Sequence, residues 1–269
     1  MTPRLLDLFC GAGGCSVGYG AAGFDVTGVD MRPMPHHRGG TFVQSDALDY
    51  VAAHGHEFDA IHASPPCQAH SVLRHVTGRQ YVDLIPQTRA LLQASGKPYV
   101  IENVPGAPLG GGSTYLLLLC GTMFGLVTPD GRAEIRRHRL FETNWCFGLM
   151  PECQHGGTPS LHVAGENFHL HRDRARARKA QREALTVSGH SLHGATYTKA
   201  RRAMTVTGNT AQINVVRNTE RETFTADEAR AAMGIDWMPM KYLSQAIPPA
   251  YTEWLGRRLM LAMGWRVAA

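Results

Sequence analysis

The sequence places one cysteine where a covalent nucleophile would be needed. Cys67 lies in the stretch Ser-Pro-Pro-Cys-Gln at residues 64–68, directly after an apolar run. We predict that this run is a buried strand, which puts Cys67 at the carboxyl end of a strand, where α/β folds place their sites. The two prolines stiffen the approach to the thiol. A thiolate held in this way is suited to nucleophilic catalysis.

Two further groups of polar residues could serve the same site. Glu102 ends an apolar run, and Arg137 and Arg139 precede an apolar pair. Each has a simpler explanation by itself, because Glu102 could cap a neighbouring helix and the arginines could be surface charges on an edge strand. Together with Cys67 they favour a catalytic set of nucleophile, carboxyl group and anchoring cations.

A glycine-rich turn at residues 9–14 joins the first predicted strand to a helix. A dinucleotide-binding turn needs a third glycine where this chain has Ser16, so NAD is disfavoured. Asp30 ends the second predicted strand, where a carboxylate can accept hydrogen bonds from both ribose hydroxyls. Asp46 ends the third, within reach of an adenine amino group. The turn and the two carboxylates together fit an adenosine ligand that lacks a pyrophosphate.

These candidate residues need a sheet to hold them, and the first hundred residues predict one. Short apolar runs alternate with helical or turn-rich stretches, a pattern typical of βαβ units and a parallel sheet. We therefore predict an α/β fold, with strands at residues 4–9, 25–30, 41–44, 59–63 and 99–104. Helices are predicted at residues 16–22, 47–53, 81–94, 225–233 and 251–263.

The composition divides the chain into three parts. Residues 1–145 are predicted to form the catalytic, cofactor-binding domain, and residues 221–269 to pack back on it. Residues 146–220 are rich in His, Arg, Gly, Ser and Thr and show no long apolar period, which predicts a small separate module.

One part of that module carries most of the positive charge. The net charge is +5, yet residues 171–202 alone hold nine Lys or Arg against two acidic residues, which is +7. We call this stretch the basic segment, and it includes three alternating arginines, Arg174, Arg176 and Arg178. It favours a polyanionic partner over a solvated arginine-rich face.

The composition also excludes several classes of protein. Apolar residues make up 43% and charged residues 18% of the 269 residues, which is typical of a globular chain and not of a disordered one. The sequence shows neither a signal peptide nor an apolar stretch long enough to span a membrane. We therefore expect a cytoplasmic protein without membrane contact.

The six cysteines show no spacing typical of a disulfide framework, and inside a cell they would stay reduced. Three of them are interpreted as buried apolar fillers: Cys10, Cys15 and Cys120. A further group of thiols and imidazoles lacks the usual CxxC spacing of a zinc site, so we predict no metal and interpret the histidines as polar surface residues. That group is Cys146, Cys153, His155 and His162.

Taken together, these stretches resemble the DNA cytosine carbon-5 methyltransferase family, in particular its short phage and actinobacterial members. The matching stretches follow the family order: Asp-Leu-Phe-Cys-Gly-Ala-Gly-Gly at 7–14, Pro-Pro-Cys-Gln at 65–68, Glu-Asn-Val at 102–104, Arg-His-Arg at 137–139, Phe-Thr-Ala-Asp-Glu-Ala-Arg at 224–230, and Gln-Ala-Ile-Pro-Pro at 245–249. The sequence departs from the family pattern at three residues in two places. Ile135 stands where a Gln is usual, and Ser244-Gln245 stand where Gly-Asn is usual.

The resemblance implies a Rossmann-like sheet that binds S-adenosylmethionine, with a small target-recognition domain at residues 146–220. Cys67 would add to carbon 6 of a cytosine flipped out of double-stranded DNA, so that carbon 5 can accept the methyl group. Glu102 would hold ring nitrogen N3 and the exocyclic amine. Arg137 and Arg139 would favour the thiolate and anchor the base oxygen or a phosphate.

The resemblance also implies where the cofactor lies and in what setting the enzyme works. The short recognition module suggests a target of roughly two to four base pairs. We expect a monomer of a restriction-modification type, with a phage among the candidate sources. The residues expected to contact S-adenosylmethionine are Phe9, Gly11, Ala12, Gly13, Gly14, Asp30, Met31, Asp46, Ala47, Pro66 and Ile247.

Three other interpretations stay open at this point. The chain could methylate cytosine in RNA with the same fold. It could be a catalytically idle DNA-binding scaffold, although a scaffold needs none of Cys67, Glu102 and Arg137. It could also transfer a modified group, such as a carboxylated methyl, from an altered cofactor.

Overall fold

The structure is a computed structural model, and it describes residues 1–70, 81–131, 133–153, 202–204 and 225–266. Most of the predicted recognition module lies outside these residues. The basic segment lies outside them as well, except for the backbone of Arg202.

Two sheets are formed by the described residues. The larger has seven strands in the order β3-β2-β1-β4-β5-β8-β6, and the smaller pairs β7 with β9. The strands are β1 Arg4–Leu8, β2 Asp25–Asp30, β3 Thr41–Gln44, β4 Ala60–Ala63, β5 Tyr99–Asn103, β6 Tyr115–Leu119, β7 Ala133–Ile135, β8 Arg139–Thr143 and β9 Arg202–Met204.

Six α-helices accompany the strands in the described ranges. They are α1 Gly14–Ala21, α2 Ala47–His54, α3 Ile85–Ser95, α4 Ala226–Met233, α5 Met240–Leu243 and α6 Pro249–Ala262. Single-turn 3-10 helices lie at Gly55–Glu57, Cys67–Ala69 and Gly121–Phe124. Among these described helices, none combines the length and the apolar character that crossing a membrane would require.

The first five strands form the parallel part of the large sheet. β1 pairs in parallel with β2 on one side and with β4 on the other, and β3 and β5 extend the sheet outward. β1, β4 and β5 are buried over nearly their whole length, as expected for strands covered on both faces. The α/β class and all five predicted strands are confirmed, each with its ends within one residue.

β8 departs from the parallel pattern, because it pairs antiparallel with β5 and lies between β5 and β6. The simpler explanation of Arg139 as a surface charge on an edge strand is therefore wrong. β8 is an interior strand and all five of its residues are buried. Its charged side chains are tolerated there because each has a partner of opposite charge.

The predicted helices are present, and all except α2 begin at a different residue than predicted. α3 begins at Ile85 instead of residue 81, and the Asp83 carboxylate accepts a hydrogen bond from the Ile85 backbone N–H (3.0 Å). α4 begins after Thr225, whose side chain and that of Glu228 form a reciprocal capping box. α6 begins two residues earlier than predicted, at Pro249, where a proline fits the first turn of a helix.

The chain folds into two compact units. The first contains residues 1–117, 139–150 and 246–269, and the second contains residues 118–138 and 151–245. Within the first unit, α6 packs closely on α1. The Thr252 hydroxyl donates a hydrogen bond to the Cys15 carbonyl oxygen (3.0 Å), and a Cβ at Gly18 would collide with Thr252 and with the α6 backbone.

Candidate active site

The candidate residues of the first unit lie along one edge of the parallel sheet. The carboxyl ends of β3, β2 and β1 lead to Asp46, Asp30 and the glycine turn, and those of β4 and β5 lead to Cys67 and Glu102. Neighbouring strands are about 4.8 Å apart, so β2 and β5 are separated by about 14 Å. This edge therefore has two halves. One, at β3, β2 and β1, holds the glycine turn and two aspartates, and the other, the catalytic half at β4 and β5, holds Cys67 and Glu102.

The turn after β1 has an unusual backbone that points it at the neighbouring strand. Phe9 has a φ of 59°, the one positive value for a residue other than glycine among the described residues, and Gly11 has a φ of 52°. The Cys10 N–H donates to the Val29 carbonyl oxygen (3.0 Å) and the Gly11 N–H donates to Asp30 Oδ2 (3.1 Å). These bonds fix the turn against the end of β2.

The glycines of this turn serve different purposes. A Cβ at Gly13 would collide with the backbone of Arg38, and one at Gly14 would lie 2.5 Å from the Ile247 carbonyl oxygen. A Cβ at Gly11 would meet no atom within 4 Å. Gly13 and Gly14 are therefore required by packing within the protein, whereas Gly11 borders open space that a ligand can occupy.

The two carboxylates of this half are held by backbone N–H groups. Asp30 Oδ1 accepts a bond from the Arg32 N–H (3.0 Å), so each oxygen of Asp30 keeps a further lone pair for a ligand. Asp46 is exposed and is the N-cap of α2, with Oδ1 accepting from the Leu48 (2.8 Å) and Asp49 (3.1 Å) N–H groups. Beside them, Met31 is exposed, while Ala47 in the first turn of α2 and Ala12 in the glycine turn are buried.

The loop that carries Cys67 is anchored on both sides. The Ser64 N–H donates to the Leu8 carbonyl oxygen (3.1 Å), and Asn103 Nδ2 donates to the Pro65 carbonyl oxygen (2.9 Å). Pro65 is buried, Pro66 is exposed, and Cys67 is half-buried as the first residue of the 3-10 helix Cys67–Ala69. The thiol is thus held at the mouth of the sheet edge and not inside the core.

Glu102 and Arg139 form a buried ion pair. Arg139 Nε lies 3.2 Å from Glu102 Oε1, and both side chains are nearly inaccessible to solvent. The pair forms because Arg139 begins β8 where this strand runs antiparallel to the end of β5. Arg139 therefore orients Glu102 from the β8 side. On its other side β5 pairs with β4, the strand that leads to Cys67.

Arg137 belongs to the second unit, whereas Cys67, Glu102 and Arg139 belong to the first. Its side chain is fully buried, and its Nη2 donates to the Ser244 carbonyl oxygen (3.1 Å). Ile135, the other departure from the family pattern, is buried in the same unit, and its Cβ fills the space next to Gly121.

A buried polar network beneath the turn was not predicted. Ser16 Oγ donates to Asp7 Oδ2 (2.6 Å), and burial raises the pKa of Asp7 from 3.8 to about 7, opposed by this bond. His62 lies 3.0 Å from the Tyr19 hydroxyl and 2.9 Å from Ser64 Oγ, and burial lowers its pKa from 6.5 to about 3. The sequence does contain a sign of this network, because Asp7 and His62 each stand between apolar residues of a strand.

The remaining cysteines are distributed as follows. The three interpreted as fillers are indeed buried: Cys10, Cys15 and Cys120. Cys146 is exposed and Cys153 is half-buried. The two histidines considered with them for zinc, His155 and His162, lie outside the described residues.

Comparison with known proteins gives a fold and a partial sequence match. The type II methyltransferase M.XorII of Xanthomonas oryzae pv. oryzae is 31% identical over 130 residues, which is 40% of this chain and 30% of that protein. No protein-family model matches the chain. The chain thus aligns with less than a third of the length of its curated relative.

Solved structures extend the comparison to the whole chain. The Entamoeba histolytica methyltransferase EhMeth superposes with a TM-score of 0.50 at 13% identity, covering 97% of this chain and 98% of that one. An S-adenosylmethionine-dependent methyltransferase from Agrobacterium tumefaciens matches over 53% of this chain and 56% of that one, with a TM-score of 0.34 and 17% identity. The likeness to the Entamoeba protein confirms the predicted Rossmann-like α/β fold.

Proposed function

We propose that this chain is an S-adenosylmethionine-dependent methyltransferase that modifies carbon 5 of cytosine in DNA through a covalent bond to Cys67. One observation carries the proposal. Cys67 follows β4, and the ion-paired Glu102 lies near the end of the neighbouring parallel strand β5, at a sheet edge that also holds a glycine turn with open space at Gly11. A thiol nucleophile and a carboxyl group at such an edge suit attack on a ring that must be activated before it accepts a methyl group.

The cofactor is assigned to the β3-β2-β1 half of the edge. The residues present fit S-adenosylmethionine, because Asp30 has lone pairs left for the two ribose hydroxyls and Gly11 leaves room beside the turn. The other contacts assigned from the resemblance stay proposals. When bound, this cofactor supplies the methyl group as a sulfonium.

The residues of the catalytic half would act in sequence on the base. The thiolate of Cys67 adds to carbon 6, and the electrons of the 5,6 double bond make carbon 5 nucleophilic. Glu102, oriented by Arg139, holds N3 and the exocyclic amine as charge develops on the ring. After transfer a base removes the carbon 5 proton, the double bond re-forms and Cys67 leaves. The products are 5-methylcytosine and S-adenosylhomocysteine.

DNA is supported as the substrate by two observations of different kinds. The partial sequence match is to a type II methyltransferase. The basic segment carries +7 in 32 residues, more than a free nucleotide requires and suited to a duplex with a charge about every 1.7 Å. Carbons 5 and 6 are stacked inside a duplex, so the target base would have to be flipped out, at a cost of a few kcal/mol.

A trapping experiment tests this proposal. Duplex DNA containing 5-fluorocytosine blocks the final elimination, so the wild-type chain with S-adenosylmethionine should form a stable covalent adduct. Cys67→Ala should abolish the adduct and methyl transfer while its affinity for S-adenosylmethionine stays within a few fold. The matched control is Cys146→Ala, which removes an exposed thiol.

Mass spectrometry of the nucleosides gives the second readout. We expect 5-methylcytosine in DNA from the wild-type reaction and none from Cys67→Ala. An adduct of undiminished yield in Cys67→Ala would contradict the role of Cys67. Methylation of RNA in preference to DNA, or a product heavier than a methyl group allows, would contradict the substrate or the transferred group.

A further inference from the structure

A cluster of two thiols and one imidazole lies in the second unit, and none of its residues takes part in the proposed reaction. Its members are Cys120, His138 and Cys153, which we call the thiol cluster. Their ligand atoms all lie within 4.8 Å of one another, and Cys153 Sγ is 3.6 Å from His138 Nε2. The three residues are separated by 17 and 14 others in the sequence, so folding alone brings them together.

The distances are those of atoms around one small cation. In a tetrahedral zinc site the Zn–S bond is about 2.3 Å and the Zn–N bond about 2.05 Å, which separates sulfur from nitrogen by about 3.6 Å. The distance from Cys153 to His138 has this value. A hydrogen bond from a thiol to an imidazole gives a similar distance. Such a bond does not explain why a second sulfur, that of Cys120, lies within 4.8 Å of both atoms.

The surroundings of Cys120 are also those of a metal-bound sulfur. Cys120 is fully buried, and its Sγ accepts hydrogen bonds from the Thr122 hydroxyl (3.3 Å) and from the Met123 backbone N–H. Thr122 Oγ1 lies 3.8 Å from Cys153 Sγ as well. Donors that surround a ligand in this way stabilise the charge of a coordinating thiolate and fix its orientation.

We propose that Cys120, His138 and Cys153 bind one zinc ion, whose fourth position is taken by water or by another ligand. Two thiolates and an imidazole select zinc over magnesium or calcium, which prefer oxygen ligands. The ion would link three parts of the second unit through one ligand from each. These are Cys120 directly after β6, His138 just before β8, and Cys153 near the start of residues 151–245. We assign the ion a structural role, holding these parts of the second unit together, because none of its three ligands takes part in the proposed reaction at Cys67.

This site differs from the one considered in the sequence, because it uses Cys153 with residues far upstream. The usual signal of a zinc site is a CxxC pair, and neither thiol of the cluster belongs to one. The absence of that pair led to the expectation of no metal. The approach of Cys120 and His138 to Cys153 depends on tertiary structure and could not be read from spacing.

Metal analysis of the full chain tests the proposal. The protein is purified without chelator, its affinity tag is removed, and zinc is measured by mass spectrometry. We expect about one zinc ion per chain in the wild type. In Cys120→Ser and Cys153→Ser the zinc content should fall at least about tenfold. The matched control Cys146→Ser removes an exposed thiol seven residues from Cys153 and should keep the wild-type content.

Cobalt substitution decides the question without any variant that could misfold. The reduced wild-type chain, stripped of zinc and titrated with Co²⁺, should show thiolate-to-cobalt charge-transfer absorption and the visible bands of tetrahedral cobalt. The proposal is overturned by a wild type with less than about 0.1 zinc per chain and no such absorption. It is also overturned by full zinc content in both serine variants, or by a Cys120–Cys153 disulfide in freshly purified protein.

Discussion

The buried carboxyl group of Asp7 should make the stability of the first unit depend on pH. Its pKa is 3.8 in the unfolded chain and about 7 in the folded one, mainly because burial disfavours the charged form. Asp7 Oδ1 also accepts no hydrogen bond from any described residue. The variant that tests this is Asp7→Asn, since the amide oxygen can still accept the bond from Ser16 but carries no charge.

The sign follows from proton binding. Between pH 4 and pH 7 the folded chain keeps the Asp7 proton while the unfolded chain has lost it, so this group makes unfolding easier as the pH rises. Each pH unit is worth about 1.4 kcal/mol, and the interval from 3.8 to about 7 therefore gives about 4 kcal/mol. The contribution is fully present below pH 3.8 and lost above about pH 7.

Urea unfolding followed by tryptophan fluorescence, between pH 4 and pH 8, measures this difference. The unfolding free energy of Asp7→Asn minus that of the wild type should become more positive by up to about 4 kcal/mol across the range. Taking the difference cancels groups present in both chains, among them His62, whose lowered pKa acts in the opposite direction below pH 6.5. Asp25→Asn, at an exposed carboxylate, is the control. A difference for Asp7→Asn that is flat with pH would refute the reasoning.

Three further predictions concern packing, charge and DNA. Gly14→Ala should cost about 1–3 kcal/mol of stability, because its Cβ would lie 2.5 Å from the Ile247 carbonyl oxygen. In the control Gly20→Ala, in the same helix, the nearest atom would lie 3.8 Å from the new Cβ, so this variant should gain up to about 1 kcal/mol. Equal effects of the two variants in thermal unfolding would contradict the packing argument. Arg89→Ala should cost about 3–5 kcal/mol, because it leaves the fully buried Glu142 carboxylate without its cation, and a loss below about 1 kcal/mol in urea unfolding would count against that view. DNA binding should weaken with salt, and if roughly four cations reach phosphates, the slope of log K against log salt should be about −3.6. Replacing the three alternating arginines of the basic segment with serine should flatten this slope. A wild-type slope near zero in a fluorescence titration would exclude the duplex as partner.

The parallel strands could be predicted because each is a short apolar run that ends at a turn residue. β6 shows such a run of leucines too, and could have been assigned from it. β8 could not, because Arg139 and Glu142 make it look like a solvated strand. Their partners, Glu102 and Arg89, lie 37 and 53 residues away in sequence, and only the folded chain shows that the charges are buried in pairs.

The residues of the candidate site could be predicted from the sequence, but the packing and hydrogen bonds that hold them in place could not. Cys67 and Glu102 follow apolar runs, which placed both at strand ends. The glycine turn was recognised, but its spacing did not show that Gly13 and Gly14 face protein backbone while Gly11 faces open space. Asp7 belongs to a stretch that resembles the family, yet its burial depends on α1 packing over β1, which no local pattern reveals.

The packing of α6 on α1 has a consequence for how the protein is made. The bond from Thr252 to the Cys15 carbonyl joins residues 237 positions apart, so the helix that follows the glycine turn gains its partner only after α6 has emerged from the ribosome. Until then the small-residue face of α1 is exposed on the nascent chain, where it is open to aggregation or to a chaperone. Synthesis halted before residue 246 would release a product without that partner, and proteolysis should remove it faster than a chain that contains α6.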